Sequence, residues 1–167
     1  LREIVVRGGT VACTPSIVTA KVSGETVIFG VAELRTMSFL PILRVFFTAM
    51  EILVDLSSYP TARIAKNSHD YRPLGLGYAN LGALLMSQGL PYDSNEGRNV
   101  SAAITSLMCA EAYRASAEIA EAMGPFERYA ENRDSFLDVI GMHKTAAEGV
   151  PGVGVQRDLW QEARDVW

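Results

Sequence analysis

Cysteine and histidine, which most often build metal and redox sites, are scarce in this sequence. The 167 residues include two cysteines and two histidines. Cys13 and Cys109 are far apart, form no Cys-x-x-Cys pair, and follow no signal-peptide pattern. This usage excludes a disulfide-stapled secreted domain, and we expect a reducing, cytoplasmic location.

Long hydrophobic runs and an excess of basic residues are also missing. Arg44, Glu51 and Asp55 interrupt the most apolar stretch before it reaches the roughly 18 residues that span a bilayer. The net charge is −4 and the basic residues are scattered, so neither a membrane span nor a nucleic-acid partner is expected. The sequence contains 49% hydrophobic and 20% charged residues, and this composition is typical of a globular protein with one core.

The order of patterns predicts strands first and helices afterwards. Residues 1–35 are rich in Val, Ile and Thr, and AKVSGETVIFGVAEL is the best hairpin candidate, with its turn at Ser23-Gly24. Helical periodicity begins beyond Ser38. The predicted helical segments are FLPILRVFFTAMEILVDL, PTARIAKNSHDY, YANLGALLMSQG, YDSNEGRNVSAAITSLMCAEAYRASAEIAEAMG, NRDSFLDVIGMHKTAAEG and RDLWQEARDVW.

Local signals place several helix ends and faces. Pro60 suits a first helical turn, Gly89 suits a C-terminal cap, and Asp93 with Glu96 resembles a capping box. The longest helix should stop at Gly124. The first helix should bury Ile42, Val45, Phe46, Ala49, Met50 and Leu53, and the NRDSFLDVIGMHKTAAEG helix should bury Phe136, Leu137, Ile140 and Ala147.

A glycine pair in RPLGLGYANLGALLM is the first candidate for a binding site. Glycines before a helix can let backbone amides approach a phosphate. Here Gly82 lies five residues after Gly77, and no Lys-Ser/Thr follows, so neither a dinucleotide-binding fingerprint nor a P-loop is present. The pattern favours close packing of the backbone, where a short strand turns tightly into a helix that packs against its neighbour.

Isolated titratable residues give no catalytic constellation. His69 and His143 have no further ligand at metal-binding spacing and are predicted to be surface or helix-end residues. Cys109 is predicted to be a small buried thiol, and Cys13 has no nearby base.

Charged residues of the last third are expected to be solvated. Arg114 should form intrahelical ion pairs on an exposed face with the carboxylates Glu111, Glu118 and Glu121. Arg128 and Arg133 could bind an anion, but a charged loop ahead of a helix is the favoured interpretation.

Four longer motifs occur in a fixed order between Phe46 and Val150. They are SYPTARIAKNSH, RPLGLGYANLGALLM, LPYDSNEGR and GPFERYAENR. Their order closely resembles the catalytic chain of the vitamin B12-dependent, class II ribonucleotide reductases. The resemblance implies an α+β, mostly α-helical segment of a ten-stranded α/β barrel.

The same resemblance implies radical chemistry in the full-length enzyme. Adenosylcobalamin would generate a cysteine thiyl radical, and ribonucleotides would be reduced to deoxyribonucleotides. The implied partners are the ribonucleotide substrate, nucleotide effectors, the remainder of the barrel and a second copy in a homodimer. We expect this segment to be an excerpt that is inactive alone.

No catalytic residue and no metal site are predicted within the segment. The family's radical cysteine lies in an Asn-Pro-Cys-Ser-Glu-like context, which neither Cys13 nor Cys109 matches. The glycine segment resembles a strand-to-helix junction of the barrel and is expected to wall the substrate or cofactor cavity. Its wall residues would be Arg72, Gly75, Gly77, Tyr78 and Asn80.

Three segments are predicted from the extent of the resemblance. Residues 1–41 depart from the family pattern, and a shifted reading frame is our hypothesis for that strand-rich part. Residues 42–150 form the barrel segment, and residues 151–167 begin a further helix. Two alternatives stay open: a reductase that draws its radical from a separate subunit, and a helical interaction domain without enzymatic activity.

Overall fold

The computed structural model describes residues 17–22, 25–30, 36–155, 157–165 and 167. These residues form three strands and six helices, so the predicted α+β, mostly helical class is confirmed. They do not close a barrel. The elements are β1 (Ile17–Val22), β2 (Glu25–Gly30), α1 (Thr36–Leu56), α2 (Ala62–Tyr71), β3 (Leu76–Ala79), α3 (Leu81–Ser87), α4 (Asn95–Met123), α5 (Tyr129–Glu148) and α6 (Arg157–Asp165).

The three strands form one antiparallel sheet in the order β2-β1-β3. The predicted hairpin is confirmed, because Val22 of β1 pairs with Glu25 of β2. Its turn residues, 23 and 24, lie outside the described residues. Ile17 pairs with Ala79, so β3 lies against the side of β1 that the hairpin leaves open.

The core lies where α1, α3, α4 and α6 meet. Phe39 and Leu43 of α1 are one helical turn apart, and they are 2% and 0% exposed. Each such side chain contributes roughly 1.5–3 kcal/mol when it is fully buried. The buried cluster comprises Phe39, Leu43, Leu84, Leu85, Val100, Ala103, Ile104, Leu107 and Ala163.

The predicted apolar face of α1 is partly wrong. Val45 is 55% exposed, although the face was expected to include it. The buried stripe runs instead through Phe39, Leu43, Phe46, Met50 and Val54. The first helix is apolar on more than one side, so periodicity did not settle which side meets α4. The helix also begins at Thr36 and therefore crosses the predicted segment boundary after residue 41.

Two helix starts, those of α2 and α4, are displaced by a short step from the prediction. Thr61 caps α2, because its hydroxyl accepts a hydrogen bond from the Ile64 N–H at 3.2 Å, and Pro60 therefore precedes the cap. Ser94 caps α4 by accepting from the Gly97 N–H at 2.9 Å. The predicted Asp93 capping box is wrong, since serine competes equally well for the same role.

The helix ends follow the prediction more closely. Gly89 has a φ of 70° after α3, and α4 ends at Gly124.

In α5, Ala147 is buried, and Phe136 and Ile140 are half-buried. Leu137 is 41% exposed, so its predicted burial is wrong.

Glu111 is buried, which corrects its predicted place on a solvated face. It is 1% exposed, with Arg44 of α1 at 3.4 Å and Arg114 of α4 at 3.1 Å. Glu118 keeps half of its side chain exposed and pairs with the same two arginines. The intrahelical pairs were predictable from spacing, whereas Arg44 comes from another helix and accounts for the burial.

We expect Glu111→Ala to destabilise the chain by about 2 kcal/mol, because it removes a buried carboxylate that accepts a hydrogen bond from Arg114 and forms an ion pair with Arg44. Glu118→Ala is the matched control and should cost ~0–1 kcal/mol, since its pairs are exposed. Urea unfolding of both variants measures the difference. Equal losses would contradict the assigned role of the buried carboxylate.

Two helical glycines differ in the space around them. A Cβ at Gly97 would lie 2.8 Å from the Pro91 carbonyl oxygen, and one at Gly141 would meet no described atom within 4 Å. Gly97→Ala should therefore destabilise by ~1–3 kcal/mol. Gly141→Ala should stabilise by ~0.5–1 kcal/mol, because alanine favours a helix. Thermal unfolding checks both signs, and a stabilised Gly97→Ala variant would refute the close contact.

Candidate functional site

The glycine pair lies at a strand-to-helix junction, as the sequence predicted. Helix α2 ends at Tyr71, and Arg72 follows with a φ of 46°. The chain then enters β3, and Asn80, with a φ of 70°, leads into α3. These two left-handed residues turn the chain sharply at both ends of the segment.

Arg72 fastens this segment to α1. Its guanidinium donates two hydrogen bonds to the Asp55 carboxylate, at 2.8 and 3.0 Å, and one to the Glu51 carbonyl oxygen at 3.0 Å. The Glu51 carboxylate also accepts from Nε. The side chain is 20% exposed, and its hydrogen bonds hold the pKa of Asp55 below the ordinary value. Arg72 therefore acts as a clamp between α1 and the segment.

Tyr78 fastens the same segment to α4. Its hydroxyl lies 3.0 Å from the Thr105 hydroxyl oxygen and donates to the Ser101 carbonyl oxygen at 3.3 Å. Successive residues of a strand face opposite sides of the sheet. Gly77 therefore belongs to the face that points away from the Tyr78 contacts, and the predicted wall residues do not all face one space.

The glycine face of the segment borders open space. A Cβ built at Gly75 or Gly77 meets no heavy atom of the described residues within 4 Å. Gly75 is exposed, and Gly77 is half-buried in β3. A flat group could therefore approach the main chain here without displacing any described side chain.

A groove of about 380 Å³ borders Gly75. Its apolar surface comes from the end of α1 and from Leu74, and its hydroxyl groups come from the residues that follow α1 and from α2. This volume lies within the range of small-ligand pockets. The lining residues are Met50, Leu53, Val54, Ser57, Ser58, Tyr59, Ser68, Pro73, Leu74 and Gly75.

His69 lies beside this groove in the last turn of α2, which confirms its predicted helix-end position. Its Nδ1 is 3.3 Å from Asp55 Oδ1, and Tyr59 packs against the ring edge. The Asp55 side chain thus meets both Arg72 and His69. Sequence reasoning missed this convergence, because no short-range spacing connects α1 with the end of α2.

The remaining candidate residues are not among those that line the groove. Arg128 pairs with Glu131 at 2.6 Å and Asp70 at 3.5 Å, which agrees with the favoured charged-loop interpretation. Cys109 is half-buried, so its predicted burial is only partly confirmed, and burial raises the pKa of its thiol. Cys13 lies outside the described residues.

Metal-binding and membrane-spanning features are missing from the described part of the chain. No group of three or more His, Cys, Asp and Glu side chains there could hold a metal ion. None of its helices combines the length and apolarity needed to cross a bilayer.

Comparison with known families now identifies the segment. The family described as ribonucleotide reductase, barrel domain, matches residues 16–166. The chain belongs to this family. The resemblance stated from the four motifs is thereby confirmed, and the strand-to-helix junction belongs to a ribonucleotide reductase barrel domain.

Individual relatives carry a more specific name. Vitamin B12-dependent ribonucleotide reductases from Rhodopirellula baltica and Agrobacterium fabrum are each 48% identical, over 74% and 64% of this chain. The enzyme of that name from Streptantibioticus cattleyicolor is 40% identical over 83% of the chain. The matches cover 12%, 8% and 23% of those relatives, so this chain spans a small part of their length.

The Arg72 clamp predicts a pH-dependent loss of stability. Because the folded-state pKa of Asp55 is lowered, its pairing stabilises the fold above the ordinary carboxyl pKa and is lost as the pH falls through the folded-state pKa. Arg72→Met should therefore destabilise the chain at pH 7 and cost much less at low pH. Urea unfolding at both pH values measures this difference.

Arg98→Met is the control for that experiment. Arg98 pairs with Asp93, whose side chain is 96% exposed, and such exposed pairs contribute little. The control should change stability little at either pH. If both variants showed the same pH profile, the assigned clamp would be wrong.

Proposed function

We propose that this chain is a segment of the catalytic chain of a vitamin B12-dependent ribonucleotide reductase, which converts ribonucleotides to deoxyribonucleotides. The main support for this proposal is the 40–48% identity to three enzymes of that name over 64–83% of the chain. The family match over residues 16–166 supports the same assignment. We place the full-length enzyme in the cytoplasm as a nucleotide-regulated homodimer.

The proposed role of residues 72–80 is to wall the substrate or cofactor cavity, with β3 as a strand of the complete barrel. The open space beside Gly75 and Gly77 supports this role, because a ligand can approach the main chain closely there. Arg72 and Tyr78 hold that backbone against α1 and α4. Asn80 supplies the turn into α3.

Adenosylcobalamin fits the chemistry of this face. The cofactor carries its own metal ligands, so the residues that would hold it need not form a metal-binding cluster and could offer a flat surface. Gly75, just before β3, and Gly77, within β3, would leave room for a flat group at the main chain. When bound, the cofactor would supply the radical that starts the reduction. The chain's own contribution would be to position the ligand and to exclude water.

The test compares the same methyl group at two glycines of the full-length protein. Gly77→Ala should lower ribonucleotide reduction and adenosylcobalamin affinity about tenfold, because overpacking a ligand contact costs ~1–3 kcal/mol. Gly141→Ala is the control, since a Cβ at either glycine meets no described atom within 4 Å. Deoxyribonucleotide formation and equilibrium cobalamin binding are the measurements.

Different results would contradict the cavity-wall role and the proposed reaction. Equal activity of both variants would contradict the cavity-wall role of the glycine face. A full-length wild-type protein that neither binds adenosylcobalamin nor reduces ribonucleotides would contradict the proposed reaction itself.

A further inference from the structure

Helix α1 is apolar on two opposite sides, and the described core covers one of them. On the other side, Val45 and Ile52 are each 55% exposed, and Leu56 is 74% exposed. These three residues, with two uncharged neighbours, follow one another at steps of three or four positions and form one line along the helix. We call this line the outer stripe, and its members are Pro41, Val45, Thr48, Ile52 and Leu56.

The outer stripe contains no charged residue. The charged residues of α1 are Arg44, Glu51 and Asp55, and their spacing places them along one flank between its two apolar sides. All three are used within the segment, because Arg44 lies 3.4 Å from Glu111, and both carboxylates pair with Arg72. A helix side that faces water normally carries charged and polar residues, whereas a helix that is apolar all round is buried. The composition of the outer stripe therefore indicates a surface that is covered in a larger protein.

The size of the outer stripe is too small for a second copy to be its partner. At about 1.5 Å of rise per residue, the stripe is about 22 Å long and ~10 Å wide, which gives an area of roughly 220 Å². A stable protein–protein interface buries about 800 Å² on each partner. Another part of the same chain can cover so small a stripe, because such a contact costs none of the translational freedom that association removes.

The relatives indicate where that covering part comes from. The matches span 8–23% of the three enzymes compared above, so most of an enzyme of that kind lies outside the matched segment. We propose that the outer stripe of α1 is a docking surface for the part of the reductase chain that lies outside residues 1–167. This inference rests on the proposed function, because a longer reductase chain supplies the partner. The docked side chains are apolar, since the stripe offers one hydroxyl group and no charge.

The test measures cysteine labelling in the full-length enzyme. Val45→Cys and Ile52→Cys each add a thiol to the stripe, and Asp134→Cys is the control, because the Asp134 side chain is 93% exposed. N-ethylmaleimide is added to the native and to the urea-unfolded enzyme, and mass spectrometry of the modified peptide gives both rates. Labelling at positions 45 and 52 should be at least about tenfold slower in the native enzyme than in the unfolded one, and the control should differ less than about threefold.

A charge placed on the stripe gives a second, independent measurement. Ile52→Lys should lower the melting temperature of the full-length enzyme by roughly 3 °C or more, because the docked segment would bury an unpaired ammonium group. Asp134→Lys introduces the same side chain on an exposed position and should change the melting temperature little. An Ile52→Lys enzyme that melts like the wild type would contradict the docking surface.

Crosslinking identifies the partner. A leucine analogue that carries a photoreactive diazirine replaces leucine in the full-length enzyme, so Leu56 at the end of the stripe can react with whatever covers it. Crosslinks from Leu56 should occur in the single-chain band of a denaturing gel and should join it to a peptide outside residues 1–167. Leu56 crosslinks confined to the dimer band would assign the stripe to a second copy and overturn the proposal.

The inference and the proposed function can be contradicted separately. Fast native labelling at both positions 45 and 52, in variants that still reduce ribonucleotides, would overturn the docking surface and leave the proposed function intact. A full-length wild-type protein without that reaction would contradict the proposed function, whereas slow labelling at both positions would still support the docking surface.

Discussion

The contact between α1 and α4 is the constraint on which the candidate site depends. Leu43 and Leu107 are fully buried in it, and the buried Glu111 carboxylate links the two helices through Arg44. Residues 72–80, which carry the glycines, are attached to α1 through Arg72 and to α4 through Tyr78. Their position therefore follows from how those helices pack and from the pairing of β3 with β1, because a four-residue strand is too short to be stable alone.

Sequence reasoning succeeded where the signal was local. The end of α4 at Gly124 and the strand before α3 follow from glycine and periodicity, which act within a few residues. It was less successful where the deciding partner was distant. The burial of Glu111 depends on Arg44, which lies 67 positions earlier in the chain and on another helix. The Asp93 cap was off by one residue, since Ser94 offers the same chemistry.

The same division applies to the candidate site. The glycine pair was visible because its motif is contiguous, but the expected close packing of its backbone is wrong, since a Cβ at Gly75 or Gly77 meets no described atom within 4 Å. The Arg72 clamp was not visible, because Glu51 and Asp55 look like solvated residues of α1. No local constellation indicated a reaction, and the family became recognisable through the order of four motifs. A barrel enzyme assembles its site from many strands, so one segment carries only a share of it.

The backbone angle at Arg72 has a consequence for how this position can vary. Glycine and asparagine adopt a φ of 46° more cheaply than arginine does, yet neither side chain could span the distance to Asp55. The contact with Asp55 requires a long side chain, whereas the positive φ favours glycine or asparagine, so the two requirements conflict at this position. An exchange to glycine or asparagine would ease the backbone conformation of the turn, but it would remove the hydrogen bonds that attach the segment to α1. Neither exchange therefore improves both the backbone conformation and the attachment.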